Sequence, residues 1–167
     1  MRNKILLALI LGFAFSNVGC TSGRTMVMNV PTERVKATSV NIAEDPATVS
    51  VPPEVTNMFK EKLEGALLIG EQGSVPPFSK GTDLNIRYRF IQFTSGSQFK
   101  RWLAGGVGGY GEGVMTVEAR FTNSSGKEIS KIQSEGKIGA GVFGGAIDGA
   151  VEKCVEEVAK YAKQNFR

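Results

Sequence analysis

Two segments of the chain, residues 83–93 and 113–122, largely alternate between apolar and polar residues. This period of two predicts strands with one buried face and one polar face. The predicted buried faces consist of Leu84, Ile86, Tyr88 and Phe90 in the first segment, and of Met115, Val117, Ala119 and Phe121 in the second. The predicted outward faces carry Asn85, Arg87 and Arg89, and Thr116, Glu118 and Arg120.

Two other segments, residues 54–70 and 145–166, repeat their apolar residues at helical spacing. Each is therefore predicted to be an amphipathic helix, the first beginning after Pro53. The apolar stripes are formed by Val55, Met58, Phe59, Leu63, Ala66 and Leu67, and by Ile147, Val151, Cys154, Val155, Val158 and Ala162.

The remaining elements complete a β-α-β-β-β-α order. β-Branched residues over 35–42 predict a first strand, three prolines within 44–53 predict a loop, and the turn 123–126 leads into a more polar strand over 128–138. We expect a single two-layer α+β domain over residues 35–167, with an antiparallel-rich sheet covered on one face by two helices.

The first 19 residues have the layout of a secretory signal peptide. Arg2 and Lys4 precede an apolar run over residues 5–15, which is too short to span a bilayer as a permanent helix. Gly19 stands directly before Cys20, as the small residue does in the lipobox of bacterial lipoproteins. The alternative is an ordinary secretory signal followed by an incidental cysteine.

The resemblance to a lipobox implies that Cys20 becomes the lipidated first residue of the mature protein. Its sulfur would carry a diacylglycerol and its amino group a further acyl chain, and several chains together hold a protein firmly on a membrane. Asn17 departs from the pattern, which usually has Leu there. Thr21, where Asp would resemble an inner-membrane retention signal, favours the outer membrane, with the domain facing the periplasm. Residues 20–34 are then interpreted as the lipidated N-terminus and a tether.

Charge and composition narrow the function. Loss of Arg2 and Lys4 leaves 18 basic side chains against 16 acidic ones, a net charge of about +2. No cluster of Lys and Arg interleaves with aromatic residues, so nucleic-acid binding is not expected. The chain has no histidine, which removes the commonest general base and the commonest metal ligand, and neither a catalytic residue nor a metal site is predicted.

Cys154 is interpreted as a small buried thiol, the alternative being a reactive or intermolecular one.

Glycines cluster in two segments, 102–113 and 136–149, and each contains a literal G-x-G-x-x-G. The dinucleotide-binding motif needs a preceding strand, a following helix and a second parallel strand. A strand follows the first cluster and the chain ends on the helix after the second, so we expect no nucleotide and no cofactor. Three interpretations stay open. The glycines permit turns and close packing, they expose helix N-terminal amides to an anion, or they allow close helix–helix contact through Gly141, Gly145 and Gly149.

The run G-S-Q-F-K-R-W-L-A-G-G-V-G-G-Y-G-E-G, the turn S-S-G-K-E-I and the run G-K-I-G-A-G-V-F-G-G resemble the bacterial lipoprotein family that carries domain of unknown function 4410. The resemblance extends from about Val35 to Tyr161 and implies a compartment and an architecture but no mechanism. Arg101 is similar to the family's arginine. We expect it to donate hydrogen bonds to carbonyls of the glycine loop, with ligand binding as the alternative. The candidate binding residues are Arg101, Gly106, Gly108, Gly141, Gly144 and Gly145.

Two classes of function are compatible with these features. The first is a non-catalytic envelope module, held on the membrane by its lipid, that binds or assembles with an envelope protein or polymer. The second is an envelope glycan-processing enzyme that uses a pair of carboxylates, which two acidic side chains about 5–10 Å apart in a cleft would support. The acidic residues considered for such a pair are Glu112, Glu118, Glu128 and Glu135.

Overall fold

A computed structural model describes residues 22–31, 35–70, 74–94, 113–138 and 147–167. These residues form six strands and two helices. In chain order the elements are β1 (Ser22–Asn29), β2 (Ser39–Glu44), α1 (Pro53–Glu64) with a π-helical turn (Gly65–Ile69), β3 (Ser79–Lys80), β4 (Leu84–Thr94), β5 (Gly113–Asn123), β6 (Glu128–Ile138) and α2 (Ile147–Phe166).

The strands form one mixed sheet in the order β1-β6-β5-β4-β2-β3. The neighbours from β1 to β4 are antiparallel, whereas β2 runs parallel to both β4 and β3. Helix α2 packs on β6, β1 and β5, and α1 packs beside it. The predicted α+β class, with a largely antiparallel sheet and two helices, is confirmed.

The apolar faces predicted for β4 and β5 form the core. All eight of their residues are buried, and Phe59 of α1 packs on the β4 side, with its ring centroid 4.8 Å from that of Tyr88 and 5.5 Å from that of Phe90. A second aromatic group joins Phe121 to Tyr161 and Phe166 of α2, at 5.3 and 5.2 Å. Every second residue of the strands and the apolar stripe of each helix are therefore buried together in a single core.

The interpretation of residues 20–34 as a tether is wrong for residues 22–29, which form strand β1. Ser22–Asn29 pairs with β6 in antiparallel register from Ser22 opposite Lys137 to Asn29 opposite Lys131, with an irregularity after Val27. The segment is polar and poor in aromatic residues, so its side chains carry little strand signal. The unpaired backbone groups along β6 supply the reason for it to become a strand.

Other element boundaries in the structure differ from the predicted ones by smaller amounts. The first strand predicted over 35–42 is β2, which lies at Ser39–Glu44, and the short β3 was not predicted. Helix α1 begins at Pro53, because proline is well suited to a first helical turn, whose amides lack helical partners. The turn before β6 holds Gly126 at a φ of 80°, in the left-handed region that favours glycine.

Helix α2 lies unusually close to the sheet where β6 carries Gly136. A Cβ placed on Gly136 would lie 2.2 Å from the carbonyl oxygen of Ala150 and 3.1 Å from Cys154 Sγ. The glycine opposite on β1, Gly23, faces Lys153 in the same way, with 3.1 Å from an added Cβ to Lys153 Cβ. The pair of glycines thus makes room for the helix backbone.

Candidate functional site

The candidate binding residues taken from the sequence, together with the lipidation site, lie outside the described residues. These are Cys20, Arg101, Gly106, Gly108, Gly141, Gly144 and Gly145, and the acidic Glu112 lies outside as well. Their roles stay predictions.

The described part of the chain has a charged cluster on the sheet face opposite the helices. Four of its five residues come from the predicted outward strand faces, and the fifth from a segment predicted to be a loop. We call it the arginine–carboxylate cluster: Asp45, Arg87, Arg89, Glu118 and Arg120. Asp45 directly follows β2, while the other four side chains come from β4 and β5. The register places Arg87 opposite Arg120 and Arg89 opposite Glu118.

Asp45 bridges the two facing arginines. Its Oδ1 accepts a 2.7 Å hydrogen bond from Arg87 Nε and a second, shorter contact from Arg87 Nη2, while Oδ2 lies 3.4 Å from Arg120 Nη2. The hydrogen bonds from Arg87 and the positive charges of Arg87 and Arg120 hold the pKa of Asp45 below its usual value, although burial opposes this shift. The carboxylate therefore separates two like charges that the register brings face to face.

Glu118 has the corresponding role one step along the strands. Its Oε1 lies 2.8 Å from Arg89 Nη2 and 3.7 Å from Arg120 Nε, and the side chain is only 8% exposed. Arg89 Nε is buried and has no hydrogen-bond partner among the described residues. The predicted outward face of β5 is thus not a solvated one at this point: Glu118 and its neighbour Thr116 are both buried.

The acidic residues of β6 are paired as well. Glu135 lies 3.4 Å from both Arg24 and Lys137, and Glu128 accepts a hydrogen bond from Asn29 at 3.3 Å. Glu135 is opposite Thr116, which makes it a diagonal neighbour of Glu118 on the same face. Diagonal positions on adjacent strands are about 7–8 Å apart between Cα atoms, within the range considered for a carboxylate pair. Both carboxylates, however, already contact arginine or lysine side chains.

A groove lies between the two helices. This groove of about 680 Å³ is lined by the end of α1 with its π-helical turn on one side and by α2 on the other. Its rim mixes charges of both signs, and Lys62 Nζ lies 3.8 Å from Glu152 Oε2. Both side chains are substantially exposed, so the groove holds its charges in solvent.

Cys154 lies in the core, which confirms the interpretation of a small buried thiol. Its Sγ lies 3.5 Å from the carbonyl oxygen of Ser134 and 3.7 Å from that of Met115. Burial raises the pKa of the thiol to about 12. Because the thiolate is the reactive form, the folded protein keeps this sulfur inert at ordinary pH.

Two absences hold within the residues that the structure describes. Within them, no group of three acidic or cysteine side chains is placed to hold a metal ion. No helix in that part of the chain is both long and apolar enough to cross a membrane.

Comparison with known proteins gives a family match over most of the domain. The family model for a domain of unknown function, DUF4410, matches residues 33–142. The chain belongs to this family. The resemblance to a family that carries this domain is thereby confirmed over residues 33–142, and the family description assigns no activity to a DUF4410 protein. No curated protein matches the chain in sequence.

Solved structures similar to this DUF4410 chain include PelC dodecamers from Paraburkholderia phytofirmans. A point variant of PelC is 11% identical, with a TM-score of 0.52 over 89% of this chain and 99% of the PelC chain. A second PelC structure is 10% identical, with a TM-score of 0.51 and the same coverage. Identities this low show a shared fold and nothing further.

Proposed function

We propose that this DUF4410 chain is a lipid-anchored protein of the cell envelope whose domain is a non-catalytic binding or assembly module. Cys20 carries the lipid, and the domain faces the periplasm from the outer membrane. The lipobox-like Gly19–Cys20 pair supports the anchor. The observation that carries the binding role is the arginine–carboxylate cluster.

The cluster is chemically suited to hold charge rather than to exchange protons. A carboxyl that acts as a general acid needs a pKa raised towards the working pH. The pKa of Asp45 is instead lowered, and both Asp45 and Glu118 contact two guanidinium groups. The three arginines exceed the two carboxylates by one positive charge, and the Arg87 side chain is 54% exposed. Its remaining donors suit an acidic group on an envelope protein or polymer.

The two PelC neighbours are dodecamers, and their shared fold supports self-assembly as one form of the proposed role. Native mass spectrometry of the lipidated protein in detergent tests this directly. We expect a defined oligomer, and a strict monomer across the accessible concentration range would count against self-assembly.

Photocrosslinking in living cells tests partner binding at the cluster. A crosslinking amino acid at Thr122, two positions from Arg120 on the same strand, should capture a defined partner, whereas the same group at the exposed Lys160 of α2 should not. Capture should fall when Arg87→Gln removes the exposed guanidinium. Equal capture from both positions, or capture that ignores Arg87→Gln, would contradict binding at this face.

The lipid anchor has its own test. Mass spectrometry of the mature N-terminus should find a triacylated Cys20. A free Cys20, or a peptide that runs upstream through Gly19, would refute the anchor.

The alternative function is an envelope glycan-processing enzyme, favoured by one observation, the diagonal placement of Glu118 and Glu135. Purified protein incubated with cell-wall glycan would then release new reducing ends, and Glu118→Gln would abolish the release. That result would replace the non-catalytic proposal, whereas no release above a blank supports it.

A further inference from the structure

Strand β1 leaves almost no chain between the proposed lipid and the sheet. It begins at Ser22, two positions after Cys20, and two residues span at most about 7 Å. A tether over residues 20–34 would instead have allowed about 50 Å. Because β1 is hydrogen-bonded along β6, a lipid on Cys20 would hold this edge of the sheet close to the bilayer.

After the exposed Arg24, which pairs with Glu135, the rest of this strand and the residue that follows it present an uncharged and largely apolar surface. Residues 25–30 carry no charge, and four of their side chains are well exposed: Met26 (40%), Val27 (48%), Met28 (50%) and Val30 (74%). Among the described strands, β1 has a neighbour on one side only. Exposed edge strands usually carry Lys or other charges as protection against pairing, and this segment has none.

We propose that β1 docks this edge of the domain on the membrane surface, with Met26, Met28 and Val30 in contact with lipid. The inference rests on the proposed anchor at Cys20 and names the surface that the anchor brings to the membrane. Unpaired backbone groups of an edge strand tolerate the headgroup region, where water reaches them, but not the hydrocarbon core. The strand therefore lies along the interface rather than in the bilayer.

The short connection decides between the membrane and a second copy of the chain as the occupant. With about 7 Å of chain, β1 is the described strand held nearest the lipid. Strands are spaced about 4.8 Å apart, so β3, five strands away, lies about 24 Å from β1. The exposed apolar residues are on the near edge, where a lipid surface is already present.

The experiment measures the depth of a fluorophore at each edge. The mature lipidated protein, carrying Met28→Cys labelled with an environment-sensitive dye, is placed in vesicles of phosphatidylethanolamine and phosphatidylglycerol that contain a nitroxide-lipid quencher. Cys154 is buried and the Cys20 sulfur would be acylated, so the new thiol takes the label. Lys80→Cys on β3 is the matched control, and Met26→Cys is a second site on β1.

We expect at least about twofold stronger quenching by the nitroxide lipid at positions 28 and 26 than at position 80, given the separation of about 24 Å. Equal quenching at both edges of protein that sediments with the vesicles would overturn the docking and leave the anchor standing. Protein that stays in solution with an unmodified Cys20 would overturn the anchor, and the inference with it. Energy transfer between labels at position 28, with no lipid quenching, would show β1 paired with a second copy and would also overturn it.

Discussion

The substitution Asp45→Asn tests whether the arginine–carboxylate cluster stabilises the fold. It keeps the size of the side chain and removes the charge that separates Arg87 from Arg120. A hydrogen bond to a charged group contributes about 1.5–3 kcal/mol, and Asp45 accepts one at 2.7 Å from Arg87 plus a longer contact from Arg120. The asparagine oxygen retains part of this, and water competes at the half-exposed Arg87.

We therefore expect Asp45→Asn to lower the free energy of unfolding by about 2 kcal/mol at pH 7. Urea unfolding followed by circular dichroism measures this, and the slope of unfolding free energy against urea should stay unchanged. Glu61→Gln, which removes an exposed carboxylate from α1, is the matched control and should shift stability by less than about 0.5 kcal/mol.

The contribution of Asp45 to the free energy of unfolding should change with pH in a defined direction. Because the folded-state pKa of Asp45 is lowered, its stabilisation is complete above the unfolded carboxyl pKa of about 3.9 and is lost as the pH falls through the lower folded value. The difference in unfolding free energy between the wild type and Asp45→Asn, the stability gap, should thus disappear below about pH 4. A gap under about 0.5 kcal/mol at pH 7, or one that persists in acid at full size, would refute the reasoning.

Two further predictions concern the contact of α2 with the sheet. Gly136→Ala should destabilise the protein by about 2 kcal/mol in urea unfolding, because its Cβ would meet the Ala150 carbonyl at 2.2 Å. Gly65→Ala, whose Cβ meets nothing within 4 Å, should be neutral or stabilising by under about 1 kcal/mol, and equal losses would contradict the close approach. Cys154 should react with a thiol reagent only after unfolding, and rapid labelling of native protein would contradict its burial. Because burial raises its pKa to about 12, this group's stabilisation should decline as the pH rises above the unfolded thiol's value of about 8.5.

The elements with strong periodicity could be predicted from the sequence, and those that depend on distant partners could not. The alternation over β4 and β5 reports burial directly, so the faces of these strands followed from the residues alone. Strand β1 carries no comparable pattern, and its cross-strand pair Arg24–Glu135 joins residues 111 positions apart. The parallel placement of β2 beside β4 likewise depends on a crossover through α1.

The arginine–carboxylate cluster shows the same limit. The sequence places Arg87, Arg89, Glu118 and Arg120 on polar strand faces but indicates no cluster among them. The pairing depends on the register of β4 on β5, which the sequence does not specify across the connection 95–112. Asp45 was hidden in a segment predicted to be a loop. The signal that could have suggested the pairing is two arginines two positions apart on β4, together with a glutamate and an arginine two positions apart on β5.

The pairing of β1 with β6 also determines the order in which the sheet can be completed. Ribosomal synthesis delivers the β1 segment first and its partner strand β6 only after four further strands and α1. Closing so long a loop is entropically unfavourable until β4, β5 and β6 have formed local contacts of their own. We therefore expect β1 to add last, with β6 serving until then as a temporary outer strand. In a chain shortened to begin after Pro31, the edge of β6 would stay exposed permanently. The increase in aggregation of this shortened chain would measure how far β1 protects that edge.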